Sequence, residues 1–185
     1  MLKRFSLIGI ALGILLVLTA STVVNAQEAY SEGVYFLNTT GGPNHAERLE
    51  VTAVKTVDGD WRETVVHFYA HANFRQYAVS HIDTTAVLGE DPDGLEVSDD
   101  LGWGGLEGQI TVYDEVTSQY HVIEFHVSMP ASESSYWEDP NSWYFNRTAN
   151  LEGYILIDGE VFRDFSRTWM TTETAYNFSD QWPGY

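Results

Sequence analysis

Between residues 48 and 69 apolar and polar positions alternate on either side of Asp58-Gly59. An Asp-Gly pair flanked by such runs is the signature of a tight β-hairpin. With those two residues as the loop, Leu49 is expected to face Phe68, Val51 to face Val66 and Ala53 to face Thr64, while Glu50 meets His67 and Arg48 meets Tyr69 on the opposite side. A slip of one residue would scramble that sorting. A second hairpin is predicted at Asp158-Gly159, pairing Ile157 with Glu160, Ile155 with Phe162 and Tyr154 with Arg163. There Leu151, Ile155, Ile157 and Phe162 share one face; Glu152, Tyr154, Arg163, Phe165, Arg167 and Trp169 share the other.

A third pair joins Leu106–Tyr113 to Gln119–Met129, with Ile123, Phe125 and Val127 on one face of the second strand. Short strands are expected at Gly33–Leu37, Arg75–Ile82 and Leu95–Ser98. Glu90–Gly105, apart from its Leu-Glu-Val centre, and Pro130–Asn146 read as loops, and the tail from Thr171 has no clear assignment. No long stretch shows helical apolar spacing. Eight or nine strands separated by turns predict an all-β fold: one antiparallel β-sandwich, with a closed β-barrel as the alternative.

Residues 1–26 break this pattern. Lys3 and Arg4 precede an apolar run from Phe5 to Ala20, and Val24-Asn25-Ala26 ends in small residues. That order is a secretory signal peptide with cleavage after Ala26. Retention as an anchor is the alternative, since Phe5 to Val24 is just long enough to cross a bilayer at ~20 residues. The expected organisation is a signal at 1–26 and one β domain at 27–185, secreted to an extracellular or periplasmic space.

Charge narrows the partners. Residues 27–185 hold seven basic residues against 27 acidic ones, a net charge of −20. Such a chain repels phosphate backbones and anionic lipids, so neither nucleic acid nor, after cleavage, a membrane is an expected partner. The chain has no cysteine, which removes thiolate metal sites and thiol nucleophiles. No glycine-rich phosphate loop follows a strand and no Gly-x-Ser-x-Gly elbow occurs, so no cofactor and no serine triad are expected.

The candidate chemistry is sparse. Tyr136, Trp137, Trp143 and Tyr144 crowd a segment that also holds Glu138, Asp139 and Asn141. Flat rings beside such polar groups suit a sugar, the rings stacking on its apolar face; the alternative is that they cap the core. Glu124 and Glu152 are conceivable partners for a glycosidase, which needs carboxylates ~5–9.5 Å apart, although a cross-strand ion pair of Glu152 with Arg163 and Arg167 also accounts for that residue. Asp91, Asp93 and Asp100 fall on a degenerate calcium-loop spacing, better read as an acidic turn. His67 and His71, four apart on a strand, stand ~13 Å apart and cannot share an ion. No metal site is expected. The favoured function is a non-catalytic extracellular binding domain with carbohydrate as ligand; the alternatives are a small secreted glycoside hydrolase and a barrel holding a small apolar ligand.

Overall fold

The structure is a computed structural model and describes residues 29–40, 47–71, 81–89, 92–138, 145–166 and 171–180. Eleven strands run through them: β1 (Tyr30–Thr40), β2 (Glu47–Asp58), β3 (Trp61–His71), β4 (His81–Val87), β5 (Leu95–Val97), β6 (Trp103–Asp114), β7 (Gln119–Glu138), β8 (Phe145–Ala149), β9 (Glu152–Ile157), β10 (Glu160–Asp164) and β11 (Thr171–Ser179). All pairings are antiparallel. A front layer runs β5-β6-β7-β9-β10 and a back layer β8-β11-β1-β2-β3-β4. β7 belongs to both, its first part pairing with β6 and β9 and its last part with β8. The path ends at β10 and β4 without closing. The fold is therefore an all-β sandwich and not a barrel.

The hairpin faces are as the alternation requires, but the first register is two residues off. Asp58 lies opposite Trp61, so the loop is Gly59-Asp60; Val51 faces Phe68, Ala53 faces Val66 and Leu49 faces Ala70. Gly59 alone in this loop has positive φ, +60°. That is the demand of a II′ turn, which spares an aspartate the left-handed region that Asp58-Gly59 at the centre would have imposed. A shift of two preserves every face, and Leu49, Val51, Ala53, Thr64, Val66 and Phe68 are all buried.

The second hairpin turns at Asp158-Gly159 as expected, both with positive φ. Glu160 pairs with Ile157, but a bulge after Val161 places Arg163, not Phe162, opposite Ile155. The extra residue turns Phe165 inward, where it meets Phe36 edge-on at 5.8 Å. Arg163 bonds Glu47 instead of Glu152; Arg167 and Trp169 lie outside the described residues.

One loop expectation is overturned and one unassigned segment proves to be a strand. β7 continues through Pro130 to Glu138, with a bulge between Ala131 and Tyr136 before Trp137 pairs with Asn146. β11, in the unassigned tail, is the strand between β8 and β1.

Side chains from both layers fill the space between them. Phe68 from the back meets Phe125 from the front edge-on at 6.1 Å, among Val34, Leu49, Leu106, Ile123, Met129 and Ile155, all fully buried. Burying one such side chain stabilises the fold by roughly 1.5–3 kcal/mol. Polar groups also cross the gap. Asn177 on β11 donates through Nδ2 to the carbonyls of Leu101 (3.2 Å) and Met129 (3.0 Å). Lys55 on β2 donates to the carbonyl of Leu95 (2.8 Å) and pairs with Glu32 (2.6 Å).

Candidate functional site

The outward face of the front layer carries a contiguous set of aromatic and polar side chains. Period-two alternation puts Trp103, Gly105 and Glu107 of β6, Glu124, His126 and Ser128 of β7, and Glu152 and Tyr154 of β9 on that side. They fall into rows across the strands: Gly105, Ser128 and Glu152 in one, Glu107, His126 and Tyr154 in the next.

Trp103 lies flat along this face. Its ring covers Gly105 so closely that a Cβ there would come within 2.6 Å of Cη2, and its Nε1–H donates to Ser128 Oγ at 3.0 Å. One ring face is spent on the glycine, and the residue remains 39% exposed. In the next row the His126 ring lies 4.7 Å from that of Tyr154 with a 35° tilt, and Glu107 accepts from His126 Nδ1 at 2.9 Å. Tyr154 is 41% exposed. Gly153, with φ +99°, lets β9 approach closely: a Cβ there would lie 2.0 Å from the carbonyl oxygen of His126. β6 and β9 are separated by β7, so the exposed indole and phenol stand on strands roughly 10 Å apart. Further along the face Tyr113 and Tyr120 pair at 5.0 Å, both exposed.

The charge on this face has one sign. Glu96, Glu107, Glu124 and Glu152 point outward from β5, β6, β7 and β9, and among the described residues no lysine or arginine does so from these four strands. The surface can stack a planar apolar group on its rings while carboxylates, imidazole and hydroxyl accept and donate hydrogen bonds around it.

The residues singled out from sequence are distributed differently. Trp143 and Tyr144 lie outside the described residues, as do the side chains of Tyr136 and Trp137, whose backbone sits in β7 opposite Arg147 and Asn146. Glu124 lies opposite Leu156 and Glu152 opposite Ser128, so their backbone positions are four residues, ~13 Å, apart along the ladder, whereas the carboxyl groups of a glycosidase stand ~5–9.5 Å apart. His67 binds Asp83 at 3.0 Å, whereas His71 sits beside His81 at 6.0 Å between ring centres. Asp93, in a 3₁₀ turn over Pro92–Gly94, pairs with Arg62 at 3.0 Å; Asp91 lies outside the described residues. Among those described, no group of three histidine or acidic side chains could hold a metal ion.

One polar cluster went unnoticed in the sequence. His121 points inward from the start of β7, 2% exposed, between Asp158 at 2.7 Å and the fully buried Asp114 at 4.0 Å. Asp114 is held by Thr117 Oγ1 (2.9 Å) and by the Val116 and Thr117 amides. These bonds tie together the β6–β7 and β9–β10 turns, which is a structural task.

No protein family known from sequence matches this chain, and no curated protein does. A crystal structure of a protein provisionally designated AttH, from Nitrosomonas europaea, is similar at 14% identity with a TM-score of 0.39; the match covers 82% of this chain and 50% of that one. The chain thus spans about half the length of that protein. At such identity and score nothing about chemistry passes from one to the other.

Proposed function

We propose that this chain is a non-catalytic extracellular binding domain that takes carbohydrate on the outer face of its front layer. The observation that carries the reading is the Trp103 indole, pressed flat on Gly105, pinned by Ser128 and still open to solvent on its other side. A ring fixed in that way presents a rigid apolar plane at little entropic cost, which suits stacking against the apolar face of a sugar ring. Tyr154 supplies a second plane, and Glu107, His126, Glu152 and Ser128 surround the two with acceptors and donors for hydroxyl groups. The backbone offset of Glu124 from Glu152 weighs against the carboxylate pair that a hydrolase reading would need.

The test is retention on insoluble polysaccharides and a glycan array, using the chain from Gln27 onward. Trp103→Ala and Tyr154→Ala should each weaken binding about tenfold, the loss of roughly 1.4 kcal/mol. Trp137→Ala and Trp143→Ala report whether the segment around 136–145 adds to the same surface. Binding of no glycan by the parent chain, or unchanged binding by the Trp103 and Tyr154 variants, would overturn the assignment. Release of reducing sugar would overturn its non-catalytic part. Export is checked by the N-terminal sequence of the protein recovered outside the cytoplasm, which should start at Gln27.

A further inference from the structure

Two strand edges face each other across the open side of the sandwich. Among the described residues β4 pairs only with β3, and β6 beyond Leu106 pairs only with β7. The edges run antiparallel and are joined at one end, where the Gly89 N–H donates to the Gln109 carbonyl at 3.0 Å. Toward the start of β4 they leave a groove of about 350 Å³ lined by His81, Ile82, Asp83, Thr84, Tyr113, Glu115 and Val116.

A strand edge offers every second N–H and C=O to whatever lies beside it, and an unpaired edge is a template for a further strand. Asp83 stands on one wall of this groove and Glu115 on the other. His67 engages one oxygen of Asp83, while Glu115 is exposed and has no hydrogen bond or ion pair among the described residues. Ile82 is buried at the floor of the groove, and the exposed apolar part of the lining is Tyr113 and Val116, a surface along which the methylene stem of a long cationic side chain can lie. Around the groove the whole chain carries a net charge of −18, a field that attracts cations and repels acidic segments.

We propose that this seam docks an extended peptide segment bearing lysine or arginine, added as a strand along the β4 edge. Main-chain hydrogen bonds hold the segment, and Asp83 and Glu115 select its charge. The groove adjoins the far end of the aromatic face, sharing Tyr113 with it, but lies away from Trp103 and takes a ligand of another class.

The probe is a capped heptapeptide alternating lysine with valine, titrated calorimetrically and followed by amide hydrogen exchange. Two comparison peptides replace each lysine by glutamate or carry N-methyl groups at every second backbone nitrogen. The lysine peptide should bind at least tenfold more tightly than the glutamate peptide and slow exchange in residues 81–87. The N-methylated peptide should lose that binding. Asp83→Asn combined with Glu115→Gln should weaken the lysine peptide about tenfold with an unchanged thermal midpoint, both side chains being at the surface. Trp103→Ala should leave peptide binding intact. Equal binding of the N-methylated peptide, unprotected β4 amides, an unaffected double variant, or no binding of the lysine peptide would each overturn the proposal.

Discussion

The buried imidazole of His121 donates through Nδ1 to the Asp158 carboxylate at 2.7 Å, fastening the start of β7 to the β9–β10 turn. The same carboxylate accepts the Val122 N–H at 2.9 Å, and the Asp158 N–H donates to the Val122 carbonyl at 2.8 Å. Burial works to raise the pKa of Asp158, but the bonds from His121 and Val122 outweigh it and hold the carboxyl below its usual range. A depressed carboxyl contributes stability that is present above its unfolded value of ~3.9 and is lost as pH falls through the folded one. Asp158→Asn, which keeps a side chain tolerant of positive φ, should cost about 1 kcal/mol at neutral pH, the side chain being half exposed. Urea unfolding at a series of pH values should show that difference narrowing below pH ~4. A constant difference would mean that the charge of Asp158 contributes nothing.

Asn177 and Gly104 are expected to be coupled. A Cβ at Gly104 would lie 2.2 Å from Asn177 Oδ1 and 2.9 Å from Val34 Cγ1, so Gly104→Ala should cost about 1–3 kcal/mol by overpacking. Asn177→Ala strips two buried carbonyls of their donor, at a similar cost of about 1–3 kcal/mol. Truncation also frees the space that the added methyl needs. The double variant should therefore be more stable than the sum of the singles implies, and a double-mutant cycle from denaturant unfolding measures the difference.

Gly105→Ala probes the aromatic face without touching an aromatic residue. The methyl group must lift the Trp103 indole and break its bond to Ser128. Glycan affinity should fall about tenfold, roughly 1.4 kcal/mol, and tryptophan emission should shift to the red as the ring enters water. Unaltered emission would show that the indole is not seated on Gly105.

Lys55 and Glu32 form a pair with little exposure at the β5 side of the core. Glu32→Ala leaves a buried ammonium with only the Leu95 carbonyl and should cost about 3 kcal/mol. Replacing the pair by Leu and Met should restore most of that loss, because two apolar side chains of similar volume need no partner. Thermal unfolding of the single and double variants separates the two costs.

Where burial follows residue type, the fold was legible in the chain. The inward faces of β2, β3 and β7 were legible because their alternation withstands even a two-residue error of register. β11 inverted the rule: it buries Ala175, Asn177 and Ser179 and turns Tyr176 and Phe178 outward. Tyr176 stacks on Tyr35 at 4.8 Å, and the ring of Phe178 occupies the space that a side chain at Gly33 would need. Hydrophobicity alone leaves such a strand without an assignment. The bulge in β10 is equally silent in composition, so Phe165 was assigned to the wrong face. Trp103 was passed over because Gly102, Gly104 and Gly105 mark its surroundings as a loop. A glycine two positions from a tryptophan was the available signal, since it leaves room for the ring to lie down.

β1 finds its partners at opposite ends of the chain, β2 immediately after it and β11 more than 130 positions on. Ladders between chain neighbours can zip as soon as their hairpins exist. The edge of β1 that awaits Thr171–Ser179 must stay open until the ribosome has delivered those residues. A molecule wired in this way folds slowly, in the millisecond-to-second range of β-rich domains. Until the last strand slots in, it presents a bare sheet edge to every other nascent copy.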